Sequence, residues 1–156
     1  MVRTYELDMV DYRILNILVQ DAKLPYSEVA RQIQVSAGTV HGRMNRLEEL
    51  GIVRRATLSL DLAKLGYGTQ VYIGITLLSN AFIAVVTEKL REIIEVTDAY
   101  FATGPYHIFT CLRCRNNEHL RAILRERIEL IEGVVRTETL VLLDELFSRP
   151  VALKAD

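Results

Sequence analysis

Long apolar runs, a disulfide-forming set of cysteines and an excess of charge of one sign are all missing from this chain. No apolar stretch approaches the roughly 20 residues that a membrane-crossing helix needs, and Met1-Val2-Arg3-Thr4-Tyr5-Glu6 contains no apolar core of an export signal. The expectation is a soluble, cytoplasmic protein. The two cysteines, Cys111 and Cys114, are too few for a disulfide framework. Their spacing resembles a redox or zinc motif only in form, because both fall in a β-pattern, where residues three apart face opposite sides of the sheet; they read as buried thiols. With 19 Lys and Arg against 20 Asp and Glu, binding to nucleic acid through bulk charge is excluded and any such contact must be local. Catalytic signatures are equally absent: His41, His107 and His119 form no ligand spacing, and there is no P-loop, no GxGxxG and no nucleophile elbow. Neither a metal nor a cofactor is expected, and nothing in the chain requires catalysis.

What is present is one helix with both ends marked, Val35 to Gly51. Ser36 can cap its start and Gly51 can close it in a left-handed conformation. At 100° per residue Val40, Met44, Leu47 and Leu50 fall on one side, while Gly38, Thr39, His41, Gly42, Asn45 and Arg46 face away and Arg43 lies at the edge. An outer face that is small, polar and basic suits a DNA major groove: glycine allows close approach, and arginine can meet phosphates or guanine edges. Residues 1–60 carry eight Lys and Arg against seven Asp and Glu, a net +1. Positive charge is gathered at Arg43, Arg46, Arg54 and Arg55, where a groove-binding surface needs it.

The preceding residues supply a three-helix frame. Asp8 can cap a helix from about Met9 to Ala22, with Val10, Ile14, Ile17 and Leu18 inward and Asp11 placing negative charge in the first turn. Leu24-Pro25 breaks it, and Ser27 can cap a short helix to Ile33 with Val29, Ala30 and Ile33 inward. Two helices joined by a tight turn at Gln34-Val35 make a helix-turn-helix, and Ile52 to Leu60 reads as the strand of a wing.

After a connector at 61–68 with two glycines, the periodicity changes. Strands are expected at Thr69–Leu78, Val96–Thr103, Tyr106–Arg115 and Val134–Leu146, with helices at Phe82–Ile94 and Glu118–Ile131. Phe82, Val85, Val86, Leu90 and Ile93 should line the first helix's inner side, and Leu120, Leu124, Ile128 and Ile131 the second's. The order βαββαβ is that of the ferredoxin-like split unit, with both helices on one face of an antiparallel sheet. Strands such as Val71-Tyr72-Ile73-Gly74-Ile75 and Thr139-Leu140-Val141-Leu142-Leu143 are apolar in both alternation classes, which points to a second subunit covering the other face. A homodimer would also present two recognition helices to two half-sites. The fold class is therefore α+β: a winged helix-turn-helix over 1–60, a linker at 61–68, and a ferredoxin-like sandwich for sensing and oligomerisation over 69–156.

Ser36-Ala37-Gly38-Thr39-Val40-His41-Gly42-Arg43-Met44 with Leu47-Glu48-Glu49-Leu50-Gly51-Ile52, the hairpin Thr103-Gly104-Pro105-Tyr106-His107, and Thr137-Glu138-Thr139-Leu140-Val141-Leu142 resemble the Lrp/AsnC, or feast/famine, transcriptional regulators, and most of all the asparagine-responsive type. The resemblance covers nearly the whole chain. It implies binding to double-stranded DNA, dimers that assemble into octamers, and an amino-acid effector, asparagine first, held between dimers. Residues facing DNA are then Ser36, Gly38, Thr39, His41, Gly42, Arg43, Asn45 and Arg46 on the helix, with Arg54 and Arg55 on the wing. Effector contacts fall on Thr103, Gly104, Tyr106, His107 and Glu138. Amides at a glycine turn can take an α-carboxylate, while the Thr103 hydroxyl or Glu138 can receive an ammonium group.

Three departures bear on this. Many amino-acid-responsive members have an acidic residue where His107 stands, Pro105 stiffens the hairpin and removes one N–H, and Gln34 replaces a common turn glycine. Two alternatives share the architecture: a ligand-independent architectural DNA protein, and a siroheme-decarboxylase-like enzyme in which the DNA-binding helix is altered. The intact basic helix speaks against the second.

Overall fold

The computed structural model describes residues 6–154. Residues 1–5, most of the stretch scanned for an export signal, and residues 155–156 lie outside the described residues. The chain divides into two compact units. One comprises residues up to Ser59 together with the segment from Phe147 onward; the other runs from Leu60 to Leu146.

The first unit is built on α1 (Met9–Leu18), α2 (Tyr26–Ile33) and α3 (Ala37–Glu49). Asp8 caps α1 in a reciprocal capping box with Asp11. This helix stops four residues earlier than its apolar pattern extends, because the Asp21 carboxylate takes the Lys23 N–H at 2.9 Å and turns the chain. Ser27 does not cap α2; the helix starts after Pro25, whose fixed φ of −59° sets the entry without a side-chain bond. Gln34 ends α2 in the left-handed region at φ 62°, and Ser36 caps α3 by accepting the Thr39 N–H at 3.0 Å. Gly51 closes α3 at φ 70°, as its position predicts. Ile14, Leu15, Leu18, Val29, Ala30, Val40, Met44 and Leu47 form the buried core, with Val10, Ile17 and Ile33 only partly covered at its margin.

Two features of this unit differ from expectation. Residues 52–60 are not a wing strand: they pair with no other strand among the described residues, and a lone extended segment has no ladder to hold it. The terminal segment does not extend the second domain. Leu153 packs on the helical core, and the Asn16 amide bonds its backbone twice, donating to its carbonyl at 2.8 Å and accepting from its N–H at 2.9 Å.

The second unit holds β1 (Thr69–Leu77), α4 (Ile83–Arg91), β2 (Val96–Phe101), β3 (Ile108–Cys114), α5 (Asn117–Ile123) and β4 (Val134–Leu142). The strands form one antiparallel sheet in the order β2-β3-β1-β4, the ferredoxin-like arrangement. Val71, Ile73, Ile75 and Leu77 of β1, with Ile108, Leu112 and Cys114 of β3, meet Val86 and Leu90 of α4 and Leu120 and Ile123 of α5 in a second core. Val85 is 49 % exposed rather than inward, since α4 turns Val86 and Leu90 to the sheet. The helix begun by α5 widens into a π turn at Leu124–Ile128, closed by Glu129 N–H donating to the Leu124 carbonyl at 2.8 Å. That turn leaves Leu124 half-buried and brings Ile128 and Ile131 inward. Strand β4 ends at Leu142, and Leu143 and Leu146 are exposed beyond it.

The two cysteines are free and buried. Cys114 belongs to the core on the helix side, whereas Cys111, facing the opposite way, is paired across the ladder with Tyr72. Burial pushes the Cys114 thiol up to about 11. No helix among the described residues is long and apolar enough to cross a membrane.

Candidate nucleic-acid and effector sites

Outward from α3, the side chains of Ser36, Thr39, His41, Asn45 and Arg46 and the backbone of Gly38 and Gly42 are all exposed. A β-carbon at Gly42 would meet nothing within 4 Å, so packing within the chain does not demand a glycine there. Ser36 and Thr39 are already joined, hydroxyl to hydroxyl at 2.8 Å. His41 stands edge-on to Tyr26, ring centres 6.0 Å apart. Arg46, Arg54 and Arg55 are exposed and engage no carboxylate among the described residues. Arg54 and Arg55 lie on the extended segment after α3, beside a shallow cavity of about 470 Å³ lined by Leu15, Leu18, Met44 and Val53. Arg43 is different: its guanidinium is held by both Asp8 and Asp11.

The effector candidates gather at the end of β3 and on the open face of the sheet. The hairpin tip is exposed at Thr103, Gly104 and Pro105, with Gly104 at φ 115°, a conformation that side-chain-bearing residues rarely adopt. Tyr106 folds back over Gly74 of β1 and stands near Phe109, which stacks on Tyr72 at 5.2 Å. Glu138, beside the Tyr106 phenol, pushes the phenol's pKa up. Glu138 also has Arg136 at 3.7 Å. His107 continues the ladder, donating its N–H to the Ile75 carbonyl at 2.9 Å, and its Nδ1 accepts the Leu77 N–H at 3.2 Å. With Nδ1 occupied as an acceptor, the neutral ring carries its proton on Nε2 and offers only a donor to a ligand.

Tyr106, His107 and Glu138 are thus brought together around β1, while Thr103 and Gly104 stay at the tip. The sequence reading missed Gly74, whose isolated place within an apolar strand is the ordinary mark of a close approach. It also missed the service Asp8 and Asp11 give to Arg43, which the Asp-x-x-Asp spacing announces only as a helix cap.

Residues 7–48 match the AsnC-type helix-turn-helix domain and residues 70–152 the Lrp/AsnC ligand binding domain. The regulatory protein AsnC of Haemophilus influenzae is 36 % identical over 137 residues, covering 88 % of this chain and 91 % of that protein. For AsnC of Escherichia coli the identity is 35 % over 147 residues, 94 % and 97 % of the two chains. The solved structure of E. coli AsnC matches with a TM-score of 0.89 at 34 % identity, over 95 % of this chain and 99 % of that one. A transcriptional regulator of Neisseria meningitidis, solved as an L-Met complex, matches with a TM-score of 0.89 at 20 % identity, over 96 % and 97 % of the chains, a likeness of fold. With its helix-turn-helix and its sensing sandwich both matched in order, and with relatives named as regulators rather than enzymes, the chain belongs to the Lrp/AsnC family of DNA-binding transcriptional regulators.

Proposed function

We propose that this regulator reads DNA half-sites through α3 and that a small amino acid, asparagine first, tunes that binding from the hairpin at residues 103–107. Thr39, His41, Gly42 and Asn45 face the bases, with Gly38 and the capping Ser36 at the helix start, and Arg46, Arg54 and Arg55 take phosphates. The protein works in the cytoplasm as a homodimer that assembles into octamers, and the effector site is completed by a neighbouring subunit. Support for the pairing comes from the open sheet face, where Tyr100, Leu140 and Leu142 stand at 58 %, 51 % and 36 % exposure. A face of this kind is apolar enough to be covered.

The observation that carries the effector reading is the polar set beside Tyr106. Glu138 offers a carboxylate for an ammonium group, and the Nε2–H of His107 offers a donor for a carboxylate or amide oxygen. Tip amides near Gly104 add further donors. Calorimetry of the full chain with asparagine, glutamine, aspartate and leucine tests it. Asparagine is expected to bind wild type and to bind Gly104→Val at least about tenfold more weakly, because valine cannot hold φ near 115°. Heat from none of the four, or binding that survives the valine unchanged, rules the hairpin out as the effector site.

A further inference from the structure

Arg43 occupies the recognition helix yet is the one arginine of that surface with its charge already spent among the described residues. Two carboxylates on the start of α1 divide their four oxygens between the helix backbone and this guanidinium. Asp8 Oδ1 accepts the N–H groups of Val10 and Asp11 at 2.8 and 3.0 Å, and Asp11 Oδ2 accepts the Asp8 N–H at 3.1 Å. The two remaining oxygens, Asp8 Oδ2 and Asp11 Oδ1, both receive Arg43 Nη1, the second at 2.9 Å. Asp11 is 1 % exposed, so its carboxylate has little water to fall back on and depends on Arg43. Arg43 itself is 28 % exposed at the side chain, with Asp8 at 53 % beside it. The three groups together carry a net charge of −1, and a phosphate approaching Arg43 meets the exposed Asp8 first.

Val40, Met44 and Leu47 hold α3 on the core through non-directional apolar contacts. A double hydrogen-bonded ion pair is directional and adds a fixed orientation to them. The geometry points to Arg43 as a positioning residue rather than a DNA contact: it locks the recognition helix to the capped start of α1, and Asp8 and Asp11 are therefore determinants of DNA specificity although neither can bind a phosphate. This rests on the reading of α3 as the recognition helix.

The test uses the full-length protein, an operator fragment selected by the wild type from random DNA, and poly(dI-dC) as non-specific competitor. Wild type, Asp8→Asn, Arg43→Lys, Arg43→Gln and Arg46→Ala are compared at temperatures well below each melting midpoint. Arg46→Ala, a phosphate contact, is expected to lower the slope of log K against log salt by about 0.9. Asp8→Asn and Arg43→Gln are each expected to lower the ratio of specific to non-specific affinity about tenfold with the slope unchanged, to be non-additive when combined, and Arg43→Lys to recover part of the loss. Wild type that selects no sequence, or an Arg46→Ala slope equal to wild type, overturns the reading of α3 itself. With that reading intact, the positioning role is overturned by a slope drop of about one phosphate in Arg43→Gln, or by an Asp8→Asn protein that keeps its full specificity ratio.

Discussion

The ring of Tyr106 lies directly over the backbone of Gly74, so close that a β-carbon at position 74 would stand 2.5 Å from the ring's Cγ. This relationship lays the tyrosine against the sheet, with its phenol on the side of Glu138. Gly74→Ala is expected to lift the ring, costing about 1 to 3 kcal/mol as an overpacked contact, and to abolish the thermal shift given by the effector. In a Tyr106→Ala background the same alanine should cost little. Denaturant melts of the four proteins of this cycle check it, and an equal cost in both backgrounds would show that the ring is not what requires the glycine.

Gln34 holds the turn between α2 and α3 at φ 62°, a conformation that costs residues with a β-carbon about 1 to 2 kcal/mol. Part of that is recovered by the smaller chain entropy of glutamine in the unfolded state. Gln34→Gly is expected to raise stability by about 0.5 to 1 kcal/mol, and Gln34→Val to lower it. Equilibrium urea unfolding measures both, and a destabilising glycine would mean that the glutamine side chain supports the turn.

Asn16 and Leu153 exchange two hydrogen bonds that tie the terminal segment to α1. Asn16→Ala is expected to cost about 1 to 2 kcal/mol and to speed hydrogen exchange at the Leu153 amide. Asn16→Asp keeps the acceptor but sets a carboxylate oxygen against the Leu153 carbonyl, and should cost at least as much as the alanine. Unchanged exchange at Leu153 in the alanine variant would show that the apolar contact of that side chain is sufficient alone.

Asp8 is held well below the ordinary 3.8, at about 2, first by its hydrogen bond from Arg43 and then by the Asp11 backbone N–H. A carboxylate depressed in the folded state stabilises the fold above its unfolded pKa and loses that contribution as pH falls through the folded value. The melting temperature of wild type should therefore exceed that of Asp8→Asn by a constant amount above about pH 4, with the gap closing toward about pH 2. Thermal melts in buffers across that window check it, and a gap that persists unchanged to the acid end would remove Asp8 from the account.

Elements whose signals are local can be read from the residues alone. The Ser36 cap, the Gly51 closure and the Val40-Met44-Leu47 stripe define α3, and alternation in β1 and β3 defines which side chains meet the helices. Such signals are legible because each is set by periodicity or by a residue's own backbone preference. The βαββαβ order followed from the succession of these periods. Other features depend on partners distant in the chain and become visible only in the folded molecule. Residues 52–60 have the β-propensity of a wing but, among the described residues, no neighbouring strand to bond. Arg43 reads as a basic contact on the helix face until Asp8 and Asp11, more than thirty residues away, claim its charge. Tyr106 belongs by sequence to a hairpin, yet its ring lies over a glycine on β1 and its phenol feels a glutamate on β4. Leu153 stands at the end of the chain, and its place on the helical core follows from Asn16, 137 residues before it. Pairings of this kind are set by which surfaces the whole fold brings within hydrogen-bond distance, and no local pattern encodes that.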